Sequence, residues 1–232
     1  MRFDIITIFP EMFSAIKDEG VIARGIKDSF LSIHTWQLRD FTKNRYRNVD
    51  DRPYGGGPGM VMQVQPIRDC IGAIRKETPN TQVIYLSPQG RKLDQGLISE
   101  LLQYENITLL CGRYEGIDQR VIDHDVDMEV SIGDYVISGG ELAAMVLIDS
   151  MGRQVKGVLG NSKSTQDSFF DGNLEYPQYS RPEEIDGQRV PKVLLSGHQK
   201  NIDIWRAEHA KLNTSSKRKD LLNKFCVIAE VI

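Results

Sequence analysis

The stretch SIGDYVISGGE, Ser131 to Glu141, joins an apolar strand-like run to a helix-forming one, and two other stretches repeat its plan: YLSPQG (85–90) and LLCGRYEG (109–116). In each, a run with the composition of a buried strand passes directly into a turn of Gly, Ser or Pro. Parallel α/β sheets bind ligands outside the carboxyl ends of their strands, where such turns gather. Any one of the three, taken alone, reads more simply as a tight turn. Three of them, each after a buried strand, make a ligand site the better reading. Glycines there let backbone N–H and C=O groups approach a ligand closely, and Glu115 and Asp134 are placed to hold a polar or cationic one.

Working outward, the first two-thirds of the chain alternates strand-like and helix-like segments, the pattern of an α/β domain with a largely parallel sheet. Strands are expected at 3–9, 31–38, 82–87 and 107–112, with two more short ones around MEVSIGDYVIS (128–138). Helices are expected at 11–20, ended by Gly20, at 66–77, at 94–104 and at 141–153. The last of these, ELAAMVLIDSMGR, is apolar on nearly every face, so it belongs in the domain interior or at a subunit contact. After Gly160 the texture changes. NSKSTQDSFFDGN (161–173) reads as a polar linker, EYPQYSRPEEIDGQRVP carries three prolines that exclude long helices, and 205–212 and 217–232 read as short helices. The expected organisation is a catalytic domain over 1–160, a flexible linker over 161–172 and a small C-terminal domain over 173–232.

The 232 residues bury a substantial core without disulfides. The three cysteines, Cys70, Cys111 and Cys226, are odd in number and form no CxxC pair, which points away from a disulfide framework or structural zinc and toward a reducing cytoplasm. The N-terminus lacks a signal-peptide pattern and no apolar run is long enough to span a bilayer, so a soluble cytoplasmic protein is expected. Net charge is −3, divided as −5 over residues 1–172 and +2 over 173–232, with a further basic concentration at Arg39, Lys43, Arg45, Arg47 and Arg52. Such a distribution suits a protein that grips phosphates at a few points and does its chemistry elsewhere.

Several familiar chemistries find no support. No GxGxxG fingerprint follows a strand, and GxxxxGK[ST] is absent. DDRPYGGGPGM (50–60) follows charged residues and leads into MVMQ, with no Lys to meet a phosphate. His34, His124, His198 and His209 show no paired-ligand spacing, and Ser87, Ser131 and Ser138 lie outside any GxSxG elbow. Cys111 follows a buried strand and reads as inert packing. Carboxylate acid/base chemistry remains, with Asp167 a candidate, although a linker Asp is more often a helix cap or simply solvated.

Taken in order, FPEMF, DDRPYGGGPGM, YLSPQGRKLDQ, CGRYEGID, SIGDYVISGGELAAM, GVLG, DSF and YPQYSRP closely resemble the bacterial tRNA (guanine-N1)-methyltransferases that modify position 37 beside the anticodon. The resemblance runs from Met1 to about Trp205. It implies a SPOUT-type parallel α/β sheet with a deep trefoil knot, an exception to the rule that chains avoid knots, and a small mainly helical C-terminal domain that helps clamp the anticodon stem-loop. It implies a homodimer with active sites shared between chains. The three glycine turns would hold S-adenosylmethionine through Tyr85, Leu86, Ser87, Pro88, Gly112, Tyr114, Ser131, Ile132, Gly133, Tyr135, Ile137, Gly139 and Gly140. Asp167 would be the general base, Arg153 would stabilise charge on the guanine, and Glu115 would add a carboxylate linked to the family's Mg2+ dependence, the metal's own site being unknown. Asp50, Arg52, Gly55, Gly56 and Gly57 would form a flexible wall near the target guanine of the tRNA.

One departure bears on these roles. The linker between Gly160 and Asp167 is one residue shorter than the family pattern, which leaves Asp171 as a rival base. Two other functions compete: a different knotted RNA methyltransferase, acting on a ribose 2′-OH or another base, and a non-catalytic RNA-binding module that keeps the fold. The first would share the cofactor loops but not DDRPYGGGPGM and DSF together; against the second stand Arg153, Glu115 and Asp167, all present.

Overall fold

The computed structural model describes residues 1–160 and 167–222. They belong to two compact units, Met1–Ser162 and Lys163–Ile232.

In the first unit, β1 (Arg2–Thr7) enters a 3-10 turn at Pro10–Phe13, followed by α1 (Ser14–Lys17) and α2 (Gly20–Lys27). The single helix expected over 11–20 is thus two short pieces that end at Lys17 with Asp18 as the C-cap, and Gly20, at φ 82°, opens α2 instead of closing the first helix. Then come β2 (Ser32–Gln37), the two-residue strands β3 (Asp50–Asp51) and β4 (Val61–Met62), and α3 (Val64–Glu77). β5 (Gln82–Lys92), α4 (Gln95–Leu101), β6 (Asn106–Cys111), α5 (Gln119–Asp125), β7 (Met128–Ser131) and α6 (Gly140–Gly152) complete the unit. Of the two strands expected within 128–138, only β7 forms; residues 132–139 are a loop. α5 escapes sequence reading because GIDQRVIDHD is too polar to show a clear stripe. Its start is fixed by Asp118, whose carboxylate accepts the Arg120 amide at 3.0 Å, and Val121 is fully buried.

The main sheet has the order β2-β1-β6-β5-β7, parallel throughout. Strand periodicity divides its side chains between two layers. Phe3, Ile5, Ile84, Leu86, Leu109 and Cys111 pack on one face with Leu147 and Ile148 of α6. Ile6, Val83, Tyr85 and Leu110 pack on the other with Ile67, Ile71 and Ile74 of α3. Burial on both faces is why these strands read as unbroken apolar runs.

β5 is longer than its apolar run suggests. Leu86 pairs with Val130, the chain then leaves the ladder, and Arg91 returns to pair with Val130 while Lys92 pairs with Ser131. The excursion 87–90 therefore arches at the carboxyl end of the sheet. Gly90 lies directly against the Glu129–Val130 peptide, where a Cβ would collide with backbone.

The second unit contains the hairpin strands β8 (Glu184–Ile185) and β9 (Gln188–Arg189), then α7 (Lys192–Leu195) and α8 (Gln199–Lys217). α8 absorbs the short helix expected at 205–212 and extends well beyond it; most of the second expected helix, 217–232, lies outside the described residues, as does Cys226. No described helix is long and apolar enough to cross a membrane.

Candidate active site

The three glycine turns gather at the carboxyl edge of the sheet, one as the excursion 87–90 within β5 and the others after β6 and β7, and they surround one cavity of about 240 Å³ in the first unit. Its wall contains all thirteen residues named above for the cofactor, from Tyr85 to Gly140, together with Glu115. Close backbone approach explains the glycines. A Cβ at Gly140 would stand 2.8 Å from Cys111 Cα and 3.0 Å from the Gly112 nitrogen, and one at Gly112 would press on the Tyr85 ring at 2.8 Å. Glycine at these positions lets the turns pack closely enough to wall the cavity with main chain.

The polar groups of the wall are held in place. The Ser131 hydroxyl donates to the Gly133 carbonyl at 3.0 Å and accepts from the Gly133 amide at 3.2 Å, closing the turn after β7. Ser87 accepts the Gln89 amide at 3.1 Å. Tyr114 sits at φ 60°, a backbone conformation that non-glycine residues rarely adopt and that concentrates at functional loops. Burial pushes the Tyr85 phenol's pKa up, and Glu129 adds to the rise against a hydrogen bond to the Ile117 backbone, so the group stays protonated. Burial also pushes the Cys111 thiol well above its ordinary value, helped by Glu141 and opposed by Arg113. A thiol held this way is inert, in keeping with its reading as packing.

A buried network that no motif announces fixes the far side of the cavity. Glu141, fully buried in the first turn of α6, accepts from Thr7 Oγ1 at 2.8 Å and from Arg113 Nε at 2.9 Å. Arg113 also donates to the Ser138 carbonyl at 3.1 Å, and its guanidinium lies 4.6 Å above the Phe9 ring. The Gly140 amide donates to the Gly112 carbonyl at 2.9 Å. Loop 132–139 is thereby tied at its exit to β1 and to the turn after β6. The signal in sequence is a charged residue, Glu141, directly before the apolar run Leu142 to Ile148, which calls for a buried partner.

DDRPYGGGPGM supplies the first strand and the tip of a two-stranded ribbon whose second strand, β4, follows it directly. β3 and β4 pair antiparallel, and Gly55, Gly56, Gly57 and Gly59 all take positive φ at the tip. Asp50 lies in β3, Arg52 follows it, and Tyr54 is 99% exposed. The ribbon's return arm meets the cavity: the Glu115 amide donates to the Met60 carbonyl at 2.9 Å, and Gly59 lies so close to the Glu115 carboxyl that a Cβ would overlap it. Glu115 is thus shared between the ribbon and the cavity wall, whereas Arg153 caps the end of α6, outside the cavity's lining.

Asp167 belongs to the second unit. The segment from Asp167 to Asn173 is a compact turn, with the Phe170 amide donating to the Asp167 carbonyl and the Phe169 amide to the Asn173 carbonyl at 2.7 Å. Asp167 and Asp171 line one cavity of about 390 Å³ with Phe170, Tyr176 and Arg206. Both candidate bases therefore face the same space. The rest of the expected linker, 161–166, lies outside the described residues. Among the described residues no three His, Cys, Asp or Glu side chains gather as a metal site.

Comparison with known proteins agrees along the whole chain. The family model described as tRNA (Guanine-1)-methyltransferase TrmD matches residues 1–224. A tRNA (guanine-N(1)-)-methyltransferase of Shewanella baltica is 54% identical, covering 99% of this chain and 94% of the relative; one of Cronobacter sakazakii is 55% identical, covering 99% and 90%. The crystal structure of tRNA (m1G37) methyltransferase from Aquifex aeolicus superposes with a TM-score of 0.79 at 40% identity, covering 97% of this chain and 95% of that one. The parallel sheet is accordingly of the SPOUT type. With its motifs, its fold and its full length all in agreement, the chain belongs to the tRNA (guanine-1)-methyltransferase family.

Proposed function

We propose that this protein transfers the methyl group of S-adenosylmethionine to N1 of guanosine 37 in tRNA, in the cytoplasm. The observation that carries the reading is the one cavity walled by three glycine turns in a chain that matches the family model over residues 1–224. When bound, S-adenosylmethionine supplies an electrophilic methyl group on a sulfonium.

The residues of the chain supply the rest. Guanine N1 bears a proton and is a poor nucleophile until that proton leaves, so a carboxylate base is the minimum requirement. Asp167 takes the N1 proton. Arg153 meets the negative charge that develops on the guanine, chiefly at O6. Glu115, held against Gly59, joins the cavity to the ribbon, and the ribbon's Asp50, Arg52 and Gly55–Gly57 close over a base turned out of its stack. If the reaction needs Mg2+, Glu115 would supply a carboxylate toward it. The knot that the family resemblance implies is supported by two close backbone passages, Gly90 on Glu129–Val130 and Gly140 on Cys111–Gly112.

A homodimer, in which the family resemblance would have the active sites shared, is supported by α6, which buries one face and leaves Leu142 and Val146, one turn apart, 50% and 45% exposed. Such a half-exposed apolar stripe suits a subunit contact.

The test is methyl transfer from labelled S-adenosylmethionine to tRNA transcripts that differ only at positions 36 and 37, followed by identification of the modified atom. Methylation at a ribose 2′-OH, or at a base other than guanine 37, overturns the reading. Asp167→Ala is expected to abolish transfer while leaving cofactor affinity nearly intact. Retained turnover moves the base role to Asp171 or Glu115.

A further inference from the structure

Among the described residues, one buried side-chain polar atom has no hydrogen-bond partner: Nε of Arg206, on α8 of the second unit. Nε itself is shut off from solvent, so this guanidinium is placed by packing and can offer a ligand only its outer nitrogens. The surroundings hold the side chain without satisfying it. Its guanidinium lies 4.8 Å above the Tyr176 ring, and its nearest carboxylate contact, to Asp203, is long at 3.8 Å.

Two cavities flank Arg206. One is the space shared with Asp167, Asp171 and Glu175, whose carboxylates repel an anion. The other, about 660 Å³, has a different character: Arg206, Arg181, Tyr176 and Tyr179 line it beside an apolar wall that includes Leu194 and Ile202, with Glu183 its one carboxylate. That volume lies within the usual range for small-ligand sites. Arg181 is exposed and forms no ion pair among the described residues. The aromatic wall is braced, since Tyr176 and Tyr179 each lie 6.4 Å from Trp205, which in turn stacks on His209 at 3.9 Å. Tyr179 keeps 49% of its surface free.

Two cations, Arg206 with only a long ion pair and Arg181 with none among the described residues, beside a half-exposed aromatic ring match the parts of a nucleotide. We propose that this cavity takes one nucleotide of the RNA substrate, with a phosphate between Arg206 and Arg181 and a base against Tyr179. The proposal rests on the tRNA reading above and adds to it a specific contact site in the second unit.

Equilibrium binding of a tRNA transcript bearing guanosine 37 tests it, measured between 50 and 200 mM salt on the full chain. Arg181→Gln and Arg206→Gln are each expected to lower affinity about five- to twentyfold and to reduce the slope of log K against log salt by roughly 0.7–0.9, the signature of one lost phosphate contact. Tyr179→Ala is expected to lower affinity about tenfold with the slope unchanged, as loss of stacking does. Cofactor affinity stays at the wild-type value in all three. Because Arg206 also packs on Tyr176, the exposed Arg181 and Tyr179 decide the outcome. Affinity within twofold of wild type and an unaltered slope in both of these variants overturns the proposal while wild-type methyl transfer continues. A wild-type chain that neither binds nor methylates tRNA overturns the activity reading, and this proposal with it.

Discussion

At Gly140 a Cβ would stand 2.8 Å from Cys111 Cα, whereas at Gly55, Gly56 and Gly57 it would meet nothing within 4 Å. The first position is a place where two stretches of backbone pass, and its φ imposes no demand for glycine. The other three have φ of 84°, 78° and 113°, and there the backbone conformation alone selects glycine. The two clusters look alike in composition and solve different problems. One lets the chain close around a cavity. The other lets an exposed ribbon turn. Under the proposed function, damage to the first is expected to fall on stability and cofactor binding, and damage to the second on the RNA.

That division can be broken by substitution. The largest effect is expected at the brace behind the tight cluster. Glu141→Ala leaves Arg113 without its buried partner and frees the exit of loop 132–139, at a cost of about 3–5 kcal/mol; denaturant unfolding measures it, and a loss of less than about 1 kcal/mol would mean that Glu141 is not the brace of that loop. Gly140→Val comes next. Its side chain meets backbone atoms that cannot turn aside, so about 1–3 kcal/mol of stability is lost to overpacking, with S-adenosylmethionine affinity falling at least tenfold by calorimetry. Unchanged affinity there detaches the cavity from the cofactor.

Gly56→Ala is expected to cost only about 1–2 kcal/mol of left-handed backbone strain. In steady-state kinetics the effect should raise KM for tRNA and leave KM for S-adenosylmethionine unchanged. A matching rise for the cofactor would join the two clusters into one site. The smallest effect, with the opposite sign, is at Gly72, a helical glycine of α3 where an added Cβ would meet nothing within 4 Å. Gly72→Ala should stabilise the fold by about 0.5–1 kcal/mol, seen as a rise in Tm with kinetics unaltered.

The parts of the site that were legible in the sequence are those written locally. Val83 to Leu86 and Ile107 to Cys111 are buried on both faces, so each appears as an apolar run, and the Gly, Ser and Pro turns after them are visible as breaks. Family motifs extended that reading to the thirteen residues around the cavity. Other features carried no local mark. α5 was hidden by its polar composition, and residues 132–139 resembled a strand by composition while forming a loop. The return of β5 to its ladder at Arg91 is set by its neighbour β7, since nothing in SPQGRK separates a turn from a bulged strand.

By itself, then, the sequence determined the parallel α/β sheet, the three glycine turns and the family, because burial and turn formation depend on residues close together in the chain. Only the tertiary structure decided that Thr7, Arg113 and Glu141 form one buried network, that Glu115 meets Gly59, and that Asp167 and Asp171 share a cavity with Arg206. Thr7 and Glu141 are 134 residues apart. Contacts of that kind are fixed by how packed layers close in space, and a local pattern of residue types carries no record of them.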